Sequence, residues 1–171
     1  MPKVGIKGQT YFNSGTHDTP VWQRAKIVHD LTLSLSKGEV QVKNKGSRWV
    51  KYLSALNDVP LDLEIDWEPG HAVFDALQAA FWSEEAVEFV ILDGGIRKPG
   101  AQGLRAGFMV TKFERSEPLE DEMLGNISLR LHADWAYEPD WVKVNEGGTA
   151  LTSVAAFADD PLNEPPTPPQ P

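Results

Sequence analysis

The sequence predicts a mainly β protein: a two-sheet β-sandwich or small barrel with one flanking α-helix at about residues 70–85, long loops and an extended C-terminal tail. Three observations carry that prediction. Asp58–Glu68 alternates with a period of two, setting Val59, Leu61, Leu63, Ile65 and Trp67 against Asp58, Asp62, Glu64, Asp66 and Glu68. This is the pattern of a half-buried strand. Val87–Leu92 is a nearly continuous apolar run, fitting a buried strand. Gly70–Glu85 has helical spacing, with Val73, Leu77, Ala80 and Phe81 on one stripe flanked by Phe74, Ala76 and Trp82. An apolar arc that broad packs flat against a sheet.

In chain order, KVGIK near the N-terminus reads as a short strand, followed by a loop around Asn13-Ser14-Gly15. Lys26–Ser36 alternates, with Ile27, His29, Leu31, Leu33 and Leu35 on one side. Lys37-Gly38 offers a turn and Glu39–Lys43 starts back, so a hairpin is expected. Asn44–Ser54 has no clean period and reads as an ordered connection held by Trp49 and Tyr52. After the acidic strand, Pro69 stands where a helix begins. Asp93–Gly103 is rich in glycine and longer than a connection requires, Leu104–Arg115 returns as a long strand, and Gly125–Tyr137 forms another. Trp141–Val144 reads as an edge strand or docking segment. Pro161–Pro171 holds six prolines and can neither form a helix nor join a ladder. The expected organisation is a β domain over residues 1–144 and an acidic, Pro-rich, mobile tail over 145–171.

Composition narrows the function. With 171 residues the chain buries a sizeable core as one domain. No run approaches the ~18 apolar residues that span a bilayer, and the N-terminus resembles no secretory signal. The absence of cysteine removes disulfides and thiolate metal sites. A net charge of −9 argues against a protein that grips nucleic acid through its phosphates, and suits one that must pass close to it without sticking. Locally the balance reverses: Lys37, Lys43, Lys45, Arg48 and Lys51 face only Glu39 between residues 37 and 51. That cluster reads as a solvated hairpin arm or as a contact with an acidic neighbour.

No catalytic constellation emerges. There is no GxSxG, no phosphate-binding loop after Gly94-Gly95, and no compact His/carboxylate motif with metal-ligand spacing. His132 and Asp134 would share one strand face, which is a weak pairing. The carboxylates of the acidic strand lie in sequence on one face rather than across a cleft, as a glycosidase pair would. The expectation is therefore no enzyme, no metal and no cofactor. Of six tryptophans, Trp49, Trp67, Trp82 and Trp135 fall on apolar faces and read as core, whereas Trp22 and Trp141 read as interface anchors.

The order of these features carries a resemblance. Lys43–Trp49, with its K-x-K-G-S turn and aromatic, is followed by Tyr52–Asp58 (Y-L-x-A-L-x-D), an alternating strand ending at Asp66–Pro69, and the A-L-x-A helix of Ala76–Ala80. Together with the SLRLHADW strand, these make Leu31–Tyr137 resemble the tail tube proteins of long-tailed bacteriophages. Ala55 departs from a common glycine, and the acidic Pro-rich tail has no counterpart in the resemblance. The resemblance implies a structural virion protein, a major tail tube subunit, made in a bacterial cytoplasm. Six copies would form a ring, and rings would stack into a conduit for DNA, with tape measure, terminator and baseplate proteins as partners. Asp62, Glu64 and Asp66 are then candidates for the lumen face. Lys37, Lys43, Lys45, Arg48, Arg97, Lys98, Trp22 and Trp141 are candidates for contacts between subunits or rings. A tail terminator or secretion-system tube subunit is the nearest alternative, and a carbohydrate-binding β-sandwich a more distant one.

Overall fold

The computed structural model describes residues 5, 8–43, 46 and 49–154. Among the described residues, two unequal antiparallel sheets and one α-helix make up the fold, and no barrel closes. The strands are β1 (Gln9–Asn13), β2 (Trp22–Arg24), β3 (Val28–Leu33), β4 (Ser36–Val42), β5 (Lys51–Asp58), β6 (Leu61–Asp66), β7 (Val87–Leu92), β8 (Gln102–Ser116), β9 (Leu124–Leu131), β10 (Asp140–Val144) and β11 (Leu151–Ser153). Nine of them form one sheet in the order β2-β1-β7-β8-β9-β6-β3, with β10 beside β8 and β11 beside β10. Among the described residues, β4 and β5 pair only with each other.

The 15-residue β8 organises this sheet. Its first half, Gly103–Phe108, pairs with β7, and its second half, Phe108–Ser116, pairs with β9. The apolar alternation of β6 then finds its place: Leu61, Leu63 and Ile65 are almost fully buried beside Ile127 and Leu129 of β9. Phe89 of β7 and Phe108 of β8 join the same core. VEFVIL is buried on both faces as expected, because Phe89 enters this main core while Val90 and Leu92 enter a second one with Tyr11, Val142 and Val144.

The helix α1 (Ala72–Ser83) is capped by the His71 side chain, whose Nδ1 accepts from the Val73 N–H. Val73, Phe74, Leu77 and Ala80 are its buried stripe, and Phe74 meets Trp67 and Phe113 edge-on. It ends at Glu84 in the left-handed conformation (φ 58°), whose N–H returns to the Ala80 carbonyl.

Several expectations give way. Lys37-Gly38 is no turn but lies inside β4, at an irregularity in the β4–β5 register. The true partner of β4 is Lys51–Asp58, a strand rather than a connection, and β3 pairs with β6. β9 stops at Leu131, and Trp135–Tyr137 forms a 3-10 turn. His132 and Asp134 therefore share no strand face; instead the Asp134 N–H donates to His132 Nδ1 at 3.0 Å. Trp49 and Trp82 are not core but 80% and 76% exposed, whereas Trp67 packs against the core. The side chain of Trp135, the KVGIK strand except Gly5, Lys45, Arg48 and residues 155–171 lie outside the described residues. β10 is not an edge, since β8 flanks it on one side and β11 on the other, which carries the sheet on to Ser153.

Candidate functional site

The outer face of β3, β6, β9 and β8 follows directly from the alternation of β6. With Leu61, Leu63 and Ile65 turned into the core, Asp62, Glu64 and Asp66 must emerge on the opposite side. Register then adds neighbours: Thr32 and Ser128 flank Asp62, while Asp30 and Asn126 flank Glu64. Glu114 and Lys112 of β8 lie next to Asn126 and Ser128. A shallow depression of about 380 Å³ is lined by these side chains. Ser128 Oγ donates to Asp62 at 2.7 Å, and Lys112 pairs with Glu114 at 2.5 Å. Asp30 stands directly opposite Glu64, an arrangement of like charges that destabilises a sheet.

This four-stranded wall is open on both sides. Among the described residues, β3 pairs only with β6, and β8 from Met109 to Ser116 pairs only with β9. Each edge leaves backbone donors and acceptors ready for another strand. The run β3-β6-β9-β8 is antiparallel throughout, so its first and last strands point in opposite directions.

A third feature is the arm formed by β4 and β5. Leu33 and Leu61 are register partners, and the arm is the long excursion between them. Among the described residues, eight of the fourteen exposed large apolar side chains lie between Leu35 and Leu56, including Val40, Trp49, Tyr52, Leu53 and Leu56. Val40 and Leu53 are cross-strand partners. Every residue of β4 is exposed, and none of the described side chains of β4 and β5 belongs to either buried core. Lys37 and Lys43 lie on it and are exposed.

The remaining predicted contacts are dispersed. Arg97 and Lys98 are exposed on the β7–β8 loop. Trp22 and Trp141 sit in strands and are partly buried, Trp22 against the second core and Trp141 against the main one.

One polar cluster escaped the sequence reading. Glu88, buried on β7, accepts from Arg105 Nε at 2.6 Å and from Asn13 Nδ2 at 2.6 Å, with His17 Nδ1 at 3.0 Å. Arg105 also donates to the His17 carbonyl and lies over the Trp22 ring at 5.4 Å. Asn13 in turn accepts from the Gly15 and Val21 N–H groups, so the cluster pins the β1–β2 loop to the sheet. Tyr137 covers this face and approaches the backbone so closely that a Cβ at Gly107 would lie 2.3 Å from it. Glu88 alone interrupts VEFVIL, and Arg105 stands inside an otherwise apolar stretch; those two interruptions were the available signal.

No protein-family profile and no curated protein sequence matches the chain. Solved structures do resemble it over most of its length. The tail of an empty gene transfer agent particle, with C6 symmetry, superposes with a TM-score of 0.62 at 13% identity, covering 78% of this chain and 96% of that one. The SPP1 tail tube gives 0.61 at 14% identity, covering 77% of each chain. The PVC sheath–tube complex of an extracellular contractile injection system gives 0.60 at 10% identity, covering 84% and 93%. The chain has a tail tube protein fold.

Proposed function

We propose that the chain is the major tail tube subunit of a phage-type particle, assembling as stacked hexameric rings around a conduit for DNA. The observation that carries this reading is the open-edged wall β3-β6-β9-β8, apolar inside, acidic outside and, among the described residues, unpaired at both ends. Because it holds an even number of antiparallel strands, β8 of one copy can lie antiparallel beside β3 of the next, and the alternation continues around a ring. Ring closure removes both edges at once. The C6 symmetry of the gene transfer agent tail supports six copies.

In such a ring Asp62, Glu64 and Asp66 line the bore. Their charge repels DNA phosphates, and the like-charge pair Asp30–Glu64 is a local cost that the isolated subunit gains nothing from. The apolar arm, with Lys37 and Lys43, docks on a neighbouring subunit or ring, where Arg97 and Lys98 add contacts. Tape measure, terminator and baseplate proteins are the expected partners, the role is structural rather than catalytic, and subunits made in a bacterial cytoplasm end in the virion tail. Negative-stain microscopy with sedimentation at two protein concentrations tests the assembly. Long tubes or stacked rings are expected; assembly that stops at single rings points to a terminator, and a monomer at both concentrations overturns the reading.

A further inference from the structure

We propose that His29, Asp66 and Glu122 form a binding site for a divalent transition-metal ion at one rim of the acidic face. The three residues are far apart in sequence and reach one point from three elements. His29 belongs to β3, Asp66 ends β6, and Glu122 lies in the segment leading to β9. One ligand atom from each lies within 4.8 Å of the other two. Around a tetrahedral ion with bonds of about 2.0–2.2 Å, ligand atoms stand about 3.4 Å apart. Glu122 is exposed on the segment leading to β9, so its carboxylate can move in while the hydrogen-bonded His29–Asp66 pair parts to admit the ion.

The placement of His29 is built into the backbone. Simple alternation would put His29 on the same side as Ile27 and Leu31, which pack in or against the core. A register shift between Val28 and Asp30 changes this: Val28 and Leu31 both face the core, and His29 and Asp30 both turn outward. Such a bulge re-aims a side chain. Here it brings the His29 Nε2 into hydrogen-bonding contact with Asp66.

The charge around the site favours a cation. Among the described residues neither Asp66 nor Glu122 has a lysine or arginine partner, and His29 pairs with Asp66 alone. Asp30 and Glu64 extend the negative face beside it, which raises the local concentration of cations. The donor set sets the ion class. One imidazole nitrogen with two carboxylates suits Zn²⁺ or Mn²⁺, whereas Ca²⁺ and Mg²⁺ prefer six or more oxygens. Three protein ligands leave a position for water or for a group from a second copy. The site concerns a single chain and stands whether or not the chain forms tubes.

Calorimetric titration of the untagged full-length chain, freed of metal with a chelator and then given ZnCl₂ or MnCl₂, tests the proposal. The expected result is one equivalent bound per chain, with Glu122→Gln and His29→Gln each weakening binding by about 10–100-fold. His71→Gln and His132→Gln should leave the isotherm unchanged, and unaltered thermal unfolding of Glu122→Gln without metal confirms an intact fold. Saturable binding that survives both Glu122→Gln and His29→Gln overturns the site, as does the lack of saturable binding to either ion.

Discussion

Glu64 is the residue whose position is hardest to explain for an isolated chain. It faces Asp30 across the ladder and, among the described residues, forms no ion pair with a lysine or arginine. Glu64→Gln should therefore stabilise the subunit by about 0.2–1 kcal/mol in urea denaturation at low salt, with the gain shrinking as salt rises. On the proposed tube reading, Asp62→Asn with Glu64→Gln should slow DNA ejection while tubes still form; unchanged ejection kinetics would count against the proposed lumen placement. Glu88 makes the opposite case. Its loss would leave Arg105 largely buried without its carboxylate, and Glu88→Ala should destabilise the fold by about 3 kcal/mol, read as a lowered denaturation midpoint. A change below about 1 kcal/mol would mean that Arg105 relaxes into water. The faces of Asp62 and Glu64 were legible because alternation along one strand fixes them. Glu88 was not, since its partners Asn13, His17 and Arg105 are brought to it only by the pairing of β1, β7 and β8.

At the scale of elements, the helix and the apolar strand β7 were readable because each pattern is local. The hairpin was misread for a related reason. Lys37-Gly38 is good turn chemistry, but pairing between Ser36–Val42 and Lys51–Asp58 outweighs it, and pairing across that distance leaves no mark in a short window. Trp49 and Trp82 show a second limit: periodicity identifies an apolar face but not whether the same chain covers it. The arm makes this testable. Replacing Ser36–Asp58 with Asn-Gly joins Leu35 to Val59 by a two-residue hairpin turn. The shortened chain should fold with its cooperative unfolding intact, since all of β4 is solvent-exposed, and should fail to form tubes. Tubes of normal length from this variant would remove the arm from the assembly interface.

For the whole molecule, the edges of the wall were hidden in the sequence because an edge is defined by what does not pair. β3 and the second half of β8 look like any other strands when read alone. Hydrogen exchange reports the difference. In the free subunit, the outward amides of Val28–Leu33 and Met109–Ser116 should exchange rapidly, and assembly should slow both sets together. Protection of one edge without the other would indicate an open, non-closing contact rather than a ring.

The placement of the arm has a mechanical consequence. Its two ends join the chain at Ser34-Leu35 and Val59-Pro60, directly beside β3 and β6. A load taken up by the arm thus passes through two short covalent tethers into the strands that carry Asp30, Asp62, Glu64 and Asp66. In a stacked tube, the grip between subunits and the surface that meets the cargo would be one continuous piece of chain, so strain from bending the tail would reach the bore before it reached the helix or the second core.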